Sequence, residues 1–256
     1  MDIQPSRNRL LTTIRRQEPD RVPLAELHVD RPVKEKFLGK AITGVREDVE
    51  FWSKAGYDYI YIRPNYEYPG MPAAVATGTS ISADASVLES EAESVGTMHK
   101  RLISDLAGLD AYDWPNPSTI DYSNLTEAAG YLPGDMGIIS GVGGVFTRTW
   151  LLLGYERMCE ALIDEPDLVA RVFDRVGSIQ CEVLRRVVQM KDVFAVWYGD
   201  DLGYTEGLMV SPNVYRKYLF PWMEEMARIA HDAGMPFIFH SDGLLWEIIP
   251  DLVSLG

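Results

Sequence analysis

The sequence contains no apolar run of the roughly 18–20 residues that a membrane-spanning helix needs. Its first residues, Met1 to Arg9, also lack the apolar core of a signal peptide. Basic residues are scarce relative to acidic ones, 24 against 38, which gives a net charge of −14. Such a charge disfavours binding to nucleic acid or to an anionic membrane surface. Together these absences predict a soluble protein of the cytoplasm.

The sequence also has few cysteines and lacks the common phosphate-binding motifs. The two cysteines, Cys159 and Cys181, lie in segments with helical spacing and indicate no disulfide framework. Neither a Gly-x-Gly-x-x-Gly turn nor a Walker-type loop follows any apolar segment. At 256 residues, with 46% hydrophobic content, the chain is nevertheless long enough to bury a sizeable core.

What the sequence does contain is an alternation of helical and strand-like segments. Such alternation predicts parallel strands joined by right-handed crossovers, either in a doubly wound sheet or in a closed (β/α)₈ barrel. The lack of a phosphate-binding glycine turn favours the barrel. Helices are clearest at 45–55, 166–190 and 211–233, with Pro221 expected to bend the last one. Strands are predicted near residues 22–27, 58–62, 137–142, 193–198 and 236–240.

Two segments depart from the regular alternation. Residues 64–98 are rich in proline, glycine and small side chains, and predict a loop or β-hairpin outside the main architecture. After the fifth strand, Leu244-Leu245-Trp246 predicts one more helix, and a closed barrel would need three further strand–helix units. We therefore expect residues 1–256 to be a single barrel domain truncated after its fifth unit. The exposed sheet edges of such a fragment favour association into a homo-oligomer.

Polar side chains gather where the last two predicted strands end. Asp200 and Asp201 follow the fourth strand, and His240 and Asp242 follow the fifth. The carboxyl ends of parallel strands carry the chemistry of α/β enzymes, and neighbouring strands lie about 4.8 Å apart. We expect one pocket centred on His240, with Asp200, Asp201 and His240 as catalytic candidates. His240 and Asp242 are also candidate metal ligands, because a neutral imidazole and a carboxylate both bind zinc.

Each of these assignments has a structural alternative. His240 could simply hold a neighbouring loop, and Asp242 could cap a helix that begins at Gly243. Adjacent residues of an extended chain point in opposite directions. Only one of Asp200 and Asp201 can therefore face the pocket directly, and the other would cap or orient a loop.

Further residues reach the same end of the predicted barrel by topology, because they follow its strands. Glycine at these points permits close approach of a ligand, although a tight turn needs it equally. The candidate ligand-binding residues are His28, Tyr61, Arg63, Gly143, Tyr204 and Glu206.

An ordered set of motifs resembles the uroporphyrinogen decarboxylase superfamily. The motifs are Arg21-Val-Pro23, Trp114-Pro-Asn-Pro117, Gly199-Asp-Asp201 with Ser211-Pro212 downstream, and His240-x-x-Gly243. The resemblance implies a (β/α)₈ barrel that acts on a small-molecule substrate. It also implies one of two activities. One is cofactor-free removal of carboxyl groups from uroporphyrinogen III, and the other is zinc-dependent methyl transfer between a corrinoid protein and a thiol-type acceptor.

The chain departs from both branches of that superfamily. The decarboxylases carry Met-Arg-Gln-Ala-Gly-Arg after the first strand, which grips the substrate carboxylates, whereas residues 26–32 here read Glu-Leu-His-Val-Asp-Arg-Pro. The zinc methyltransferases carry His-x-Cys where this chain has His240-x-Asp242, and carboxylate can also hold zinc. We therefore expect corrinoid-linked methyl transfer with zinc, ahead of decarboxylation. A barrel that only binds a ligand is the third alternative.

Overall fold

A parallel sheet forms the centre of the molecule. The computed structural model describes residues 4–66, 68–71 and 101–256. Four strands lie side by side in chain order, and every neighbouring pair is parallel. Four of the five predicted strands and their parallel pairing are therefore confirmed. The four strands are β1 (Tyr59–Tyr61), β2 (Gly137–Ser140), β3 (Val193–Gly199) and β6 (Phe237–His240).

Helices connect and cover these strands, and a short antiparallel hairpin follows β3. The hairpin consists of β4 (Gly203–Tyr204) and β5 (Gly207–Leu208). Among the helices of the described residues, none combines the length and the apolar composition needed to cross a membrane. The helices are α1 (Arg7–Ile14), α2 (Arg31–Leu38), α3 (Val45–Lys54), α4 (Leu106–Ala111), α5 (Ser123–Tyr131), α6 (Val145–Leu153), α7 (Tyr155–Asp164), α8 (Pro166–Val187), α9 (Pro212–Val214), α10 (Phe220–Asp232) and α11 (Ile249–Ser254).

Proline positions explain two of the helix boundaries. Pro166 occupies the first position of α8, where the missing N–H costs nothing. Pro221 lies in the first turn of α10, directly after a π-helical turn at Tyr215–Leu219. A proline cannot donate the hydrogen bond that would continue a regular α-helix through this point. The predicted bend near Pro221 thus corresponds to the boundary between the π-helical turn and α10.

Residues of the sheet alternate between two apolar layers. Ile60 and Ile138 point into the large core between the sheet and its outer helices. Tyr59, Tyr61 and Ile139 point to the opposite face, where they form a smaller cluster with Leu10 and Ala195. This period of two is what a strand covered on both faces requires.

Helix α1 closes the amino end of the sheet through ion pairs. Asp58, Asp135 and Asp192 each precede one of the strands β1, β2 and β3. Arg7 pairs with Asp135 at 3.1 Å and with Asp192 at 3.3 Å. Arg9 pairs with buried Asp58. One short helix therefore ties together the starts of three successive strands.

The predicted first strand, residues 22–27, is not a strand. The backbone N–H of Glu26 donates to the Tyr59 hydroxyl at 2.8 Å, and that hydroxyl donates back to the Glu26 carbonyl at 2.8 Å. Pro23 has no N–H to offer a ladder. The Tyr59 side chain, rather than a neighbouring strand, thus supplies the hydrogen-bond partners of the Glu26 backbone. Leu27 packs against the smaller apolar cluster that contains Tyr59.

Three other expectations concern the ends of the predicted architecture. Within the described residues, β1 and β6 are the edges of an open sheet, so barrel closure is not observed. Residues 72–98 of the predicted excursion lie outside the described residues, and Asn65 forms a bridge to Asp121. The last helix begins at Ile249 and not at Leu244, whose amide donates to the Tyr204 carbonyl at 3.0 Å.

Candidate functional site

Three side chains at the carboxyl end of the sheet point toward one another. Asp201, His240 and Asp242, here called the Asp–His–Asp cluster, each present one ligand atom, and these atoms lie within 4.8 Å of each other. The distance from His240 Nε2 to Asp242 Oδ1 is 3.6 Å. Asp201 and Asp242 are exposed and His240 is half-buried, so solvent and small molecules reach the cluster.

Strand pairing positions the members of the cluster. His240 is the last residue of β6 and pairs in register with Gly199, the last residue of β3. Asp201 follows Gly199 by two residues, and Asp242 follows His240 by two. The Asp242 amide donates to Asp201 Oδ1 at 3.0 Å, which orients that carboxylate and leaves its second oxygen available. The cluster is thus set by two adjacent strand ends.

Asp200 has a different environment from Asp201, although the two are neighbours in sequence. Its carboxylate is buried and accepts hydrogen bonds from the Phe146 amide, from the Thr147 amide and hydroxyl, and from the Tyr198 hydroxyl, at 2.7–2.9 Å. Two of these donors are free amides in the first turn of α6. Asp200 therefore caps α6 from a distant strand end. These contacts give Asp200 a positioning role at the start of α6, and its catalytic role stays a prediction.

The Asp200 carboxyl also shows the balance between burial and hydrogen bonding. Burial raises its pKa above the ordinary value, whereas the hydrogen bonds from Tyr198, Thr147 and Phe146 act in the opposite direction. The backbone amide of Asp200 donates to the His240 carbonyl at 3.0 Å. A Cβ at Gly144 would lie 2.2 Å from Asp200 Oδ1, so only glycine allows the carboxylate this close. Asp200 thereby joins β3, β6 and α6.

The other predicted ligand-binding residues lie apart from the cluster. His28 Nε2 contacts Asp30 at 2.9 Å on the surface after residues 22–27. Tyr204 and Glu206 lie on the β4–β5 hairpin, and both are exposed. The hairpin packs against the segment that follows Asp242, since a Cβ at Gly243 would meet Gly203 at 2.2 Å and the Leu244 amide donates to the Tyr204 carbonyl at 3.0 Å. None of these side chains belongs to the group of ligand atoms.

Tyr61, Arg63 and Gly143 lie at the carboxyl ends of β1 and β2. Tyr61 is buried, and burial raises the pKa of its hydroxyl. The Arg63 carbonyl accepts a hydrogen bond from Asn124 at 2.6 Å. Gly143 forms an isolated parallel bridge with Gly199, which places it beside the strand that carries Asp201.

Arg148 was not predicted, yet it lies against Gly143 in the interior. A Cβ at Gly143 would be 1.5 Å from Arg148 Nη1, and the guanidinium is stacked on Tyr68 with 5.3 Å between its central carbon and the ring centroid. Only 3% of this residue is exposed. Its sequence context offered one signal: Arg148 is the single charged residue in the largely apolar helix Val145–Leu153.

The side chains of the Asp–His–Asp cluster, whose ligand atoms lie within 4.8 Å of one another, could hold a zinc ion. Zinc bonds of about 2.0–2.1 Å in a tetrahedron place the ligand atoms about 3.3 Å apart, close to the observed spacing of His240 Nε2 and Asp242 Oδ1. Nitrogen and oxygen are both ordinary zinc donors. Three protein ligands also leave one coordination position for another molecule, which is the pattern of catalytic zinc.

The fold is that of an α/β protein with a parallel sheet, and the Asp–His–Asp cluster lies at the carboxyl end of that sheet, where α/β enzymes carry their chemistry. Comparison with known proteins is consistent with this class. Residues 88–256 match the family model described as uroporphyrinogen decarboxylase (URO-D), and the chain belongs to that family.

A solved structure shares the fold over almost the whole chain. A methyltransferase from Methanosarcina mazei superposes with a TM-score of 0.68 and 14% sequence identity, covering 99% of this chain and 74% of that one. At this identity the likeness concerns the fold. No curated protein sequence matches the chain.

Proposed function

We propose that this protein moves a methyl group between a corrinoid, carried by a partner protein, and a thiol-type acceptor. The observation that carries the proposal is the Asp–His–Asp cluster, a set of potential zinc ligands with two exposed acids and a half-buried histidine at the carboxyl end of the sheet. Membership of the URO-D family and the fold shared with a methyltransferase support it. We further propose that the sheet is part of a (β/α)₈ barrel of that family.

The residues of the cluster would hold zinc as a site with an open position. His240 would bind through Nε2 in its neutral form, and Asp201 and Asp242 would each supply one oxygen. Their two negative charges match the charge of the ion. Bound zinc would act as a Lewis acid that lowers the pKa of a thiol acceptor, so that thiolate is present at neutral pH.

The surrounding hydrogen bonds preorganise this arrangement. The Asp242 amide fixes the orientation of the Asp201 carboxylate. The Asp200 amide fixes the His240 carbonyl at the end of β6. Both donors are backbone groups on strand ends, so the ligand atoms need little rearrangement to bind a metal.

The structure offers little support for uroporphyrinogen decarboxylation. Arg31 is the one arginine in the segment where the decarboxylases carry their carboxylate-binding arginines. Its Nε donates to Glu35 at 3.0 Å and its Nη2 to the Ile42 carbonyl at 2.7 Å. A guanidinium held in this way by its own helix and by the segment that follows it is poorly placed to bind substrate carboxylates.

A paired assay tests the proposed activity. Thiol-dependent demethylation of methylcobalamin, with 2-mercaptoethanol and 3-mercaptopropionate as acceptors, is measured beside turnover of uroporphyrinogen III. We expect demethylation by the wild type and by His231→Ala, an exposed histidine at the end of α10. We expect none by His240→Ala.

The alternatives make different predictions in the same assay. Turnover of uroporphyrinogen without demethylation would replace the proposal with decarboxylation. Absence of both activities in the zinc-loaded protein would favour a barrel that only binds its ligand. Equal demethylation by wild type and His240→Ala would contradict the assigned site.

A further inference from the structure

Arg148 is a buried cation whose guanidinium has few partners. Within the described residues, its only hydrogen bond runs from Nη1 to the Gly144 carbonyl at 3.5 Å, at the limit of such a bond. Nε is buried without any partner. Among the described carboxylates, none lies within ion-pair distance of this side chain. Buried charges are normally paired, because an unpaired one has lost its hydration without compensation.

The groups that do touch Arg148 are neutral. The guanidinium stacks on the rings of Tyr66 and Tyr68, with centroid distances of 5.9 and 5.3 Å. Both hydroxyls are engaged elsewhere: Tyr66 donates to Gln180 at 2.5 Å, and Gln180 donates to Tyr68 at 3.1 Å. Aromatic faces attract a cation, but they do not accept its N–H hydrogen bonds in the plane of the guanidinium.

The available N–H groups share one edge of the guanidinium. Nη1 is directed to Gly144, and neither Nε nor Nη2 makes a hydrogen bond to a described residue. Nε and Nη2 form the side-on edge that pairs with both oxygens of a carboxylate through two parallel hydrogen bonds. The edge is therefore complementary to a planar oxyanion.

Strand pairing places this edge near the Asp–His–Asp cluster. Arg148 lies against Gly143, Gly143 bridges to Gly199, and Gly199 pairs with His240. Two strand spacings of about 4.8 Å put Gly143 about 10 Å from His240 across the same end of the sheet. One small molecule can contact both places.

We propose that Arg148 binds a carboxylate of the small-molecule substrate at the same end of the sheet as the Asp–His–Asp cluster, between the walls formed by Tyr66 and Tyr68. This rests on the proposed methyl transfer only in assigning the carboxylate to a thiol acceptor. The subsite itself rests on the burial and the free edge of Arg148. Without a ligand the unpaired guanidinium destabilises the protein, as binding groups often do.

Binding of benzoate and acetate tests the subsite without any turnover. Calorimetric titration and thermal unfolding are compared for the wild type, Arg148→Met and Arg175→Met. Arg175 is the matched control, because it also stacks on a ring, Trp114, but is exposed on α8. We expect benzoate to bind to the wild type and to Arg175→Met and to raise their Tm, with no binding to Arg148→Met.

The sign of the stability change separates this role from a purely structural one. Without ligand, we expect Arg148→Met to unfold at the same or a higher temperature than the wild type. A lower Tm with unchanged benzoate binding, or no benzoate binding by the wild type, would overturn the proposal. If Arg148→Met does not fold, Arg148→Lys decides, because lysine keeps the charge and loses the two-bond edge. We expect its affinity for benzoate to fall about tenfold or more, and an unchanged affinity would overturn the proposal.

The acceptor preference connects the subsite to activity. The wild type should use 3-mercaptopropionate at a lower KM than 2-mercaptoethanol, and Arg148→Lys should lose that preference with kcat little changed. Benzoate binding without methyl transfer would leave the subsite standing and overturn the proposed function alone. Methyl transfer without benzoate binding or acceptor preference would overturn the subsite alone.

Discussion

The two ends of the parallel sheet use charge in opposite ways. At the amino end, Arg7 and Arg9 of one helix pair with the acids that precede three successive strands. At the carboxyl end, the Asp–His–Asp cluster gathers two exposed acids around a histidine, and Arg148 is buried with a free edge. Charges that are paired with each other stabilise the fold, whereas charges left available can bind something else. The paired charges at the amino end thus tie the strands together, whereas the Asp–His–Asp cluster and Arg148 at the carboxyl end keep groups available for the proposed ligands.

Among these predictions, substitution of Asp58 at the amino end of the sheet should lower the free energy of unfolding the most. Asp58 is fully buried, and its Oδ1 accepts hydrogen bonds from the Ser6 amide at 2.9 Å, from Arg21 at 3.4 Å and from Arg9. Asp58→Ala leaves these donors without their acceptor, so we expect a loss of about 3–5 kcal/mol in the free energy of unfolding. Urea denaturation measures it.

Asp201→Asn is the matched change at the other end of the sheet. Because Asp201 is exposed, we expect the free energy of unfolding of the Asp201→Asn variant to stay within about 0.5 kcal/mol of that of the wild type. Equal losses from the two substitutions would break the distinction between the ends.

Asp200→Ala should have the next largest effect, and it sharpens the comparison within the carboxyl end. The substitution removes the acceptor for the first turn of α6 and for the Tyr198 hydroxyl. We expect a loss of about 2–3 kcal/mol, the cost of a lost cap plus buried donors left unsatisfied. Thermal and urea unfolding measure it. A change no larger than that of Asp201→Ala would contradict the positioning role.

The pair Asp200 and Asp201 also shows what the sequence could and could not predict. The rule that adjacent strand residues point in opposite directions predicts that only one acid faces the site. It does not tell which one, because that depends on α6, whose first turn lies about 50 residues earlier in the chain. The strand ends and the polar residues that follow them were predictable, since they rest on local patterns.

Two further features depend on contacts that no local pattern contains. Residues 22–27 have the composition of a strand, but the Tyr59 hydroxyl satisfies the Glu26 backbone instead of a neighbouring strand. Arg148 reads as one cation in a helix, and only the packing of Tyr66, Tyr68 and Gly143 around it shows that it is buried. Burial of a charge is a tertiary property.

The smallest predicted effect is on the pH dependence of the Tm, and it concerns the exposed residue Asp20 near the amino end of the sheet. The hydrogen bond from Arg9, at 2.6 Å, is the main cause that holds the pKa of the Asp20 carboxyl below its ordinary 3.8. A lowered pKa in the folded state stabilises the protein above pH 3.8, and this contribution is lost as the pH falls through the lower value. Asp20→Asn should therefore lower the Tm slightly at neutral pH.

The difference in Tm between wild type and Asp20→Asn should shrink as the pH falls below 3.8. A series of thermal unfolding curves at decreasing pH measures it, with Asp201→Asn as the control from the other end of the sheet. A difference that stays constant across this range would show that Asp20 acts through something other than its charge.

Zinc content tests the central claim, that the carboxyl end of the sheet keeps its charges available for a metal. Protein purified without chelator is dialysed and analysed for metal as wild type, His240→Ala and His231→Ala, and the stability of each variant is checked by urea unfolding. We predict about one zinc per chain in the wild type and in His231→Ala, and none in His240→Ala, with all three equally stable within about 0.5 kcal/mol once zinc is removed. No zinc in the wild type, or the same zinc content in His240→Ala, would contradict the account.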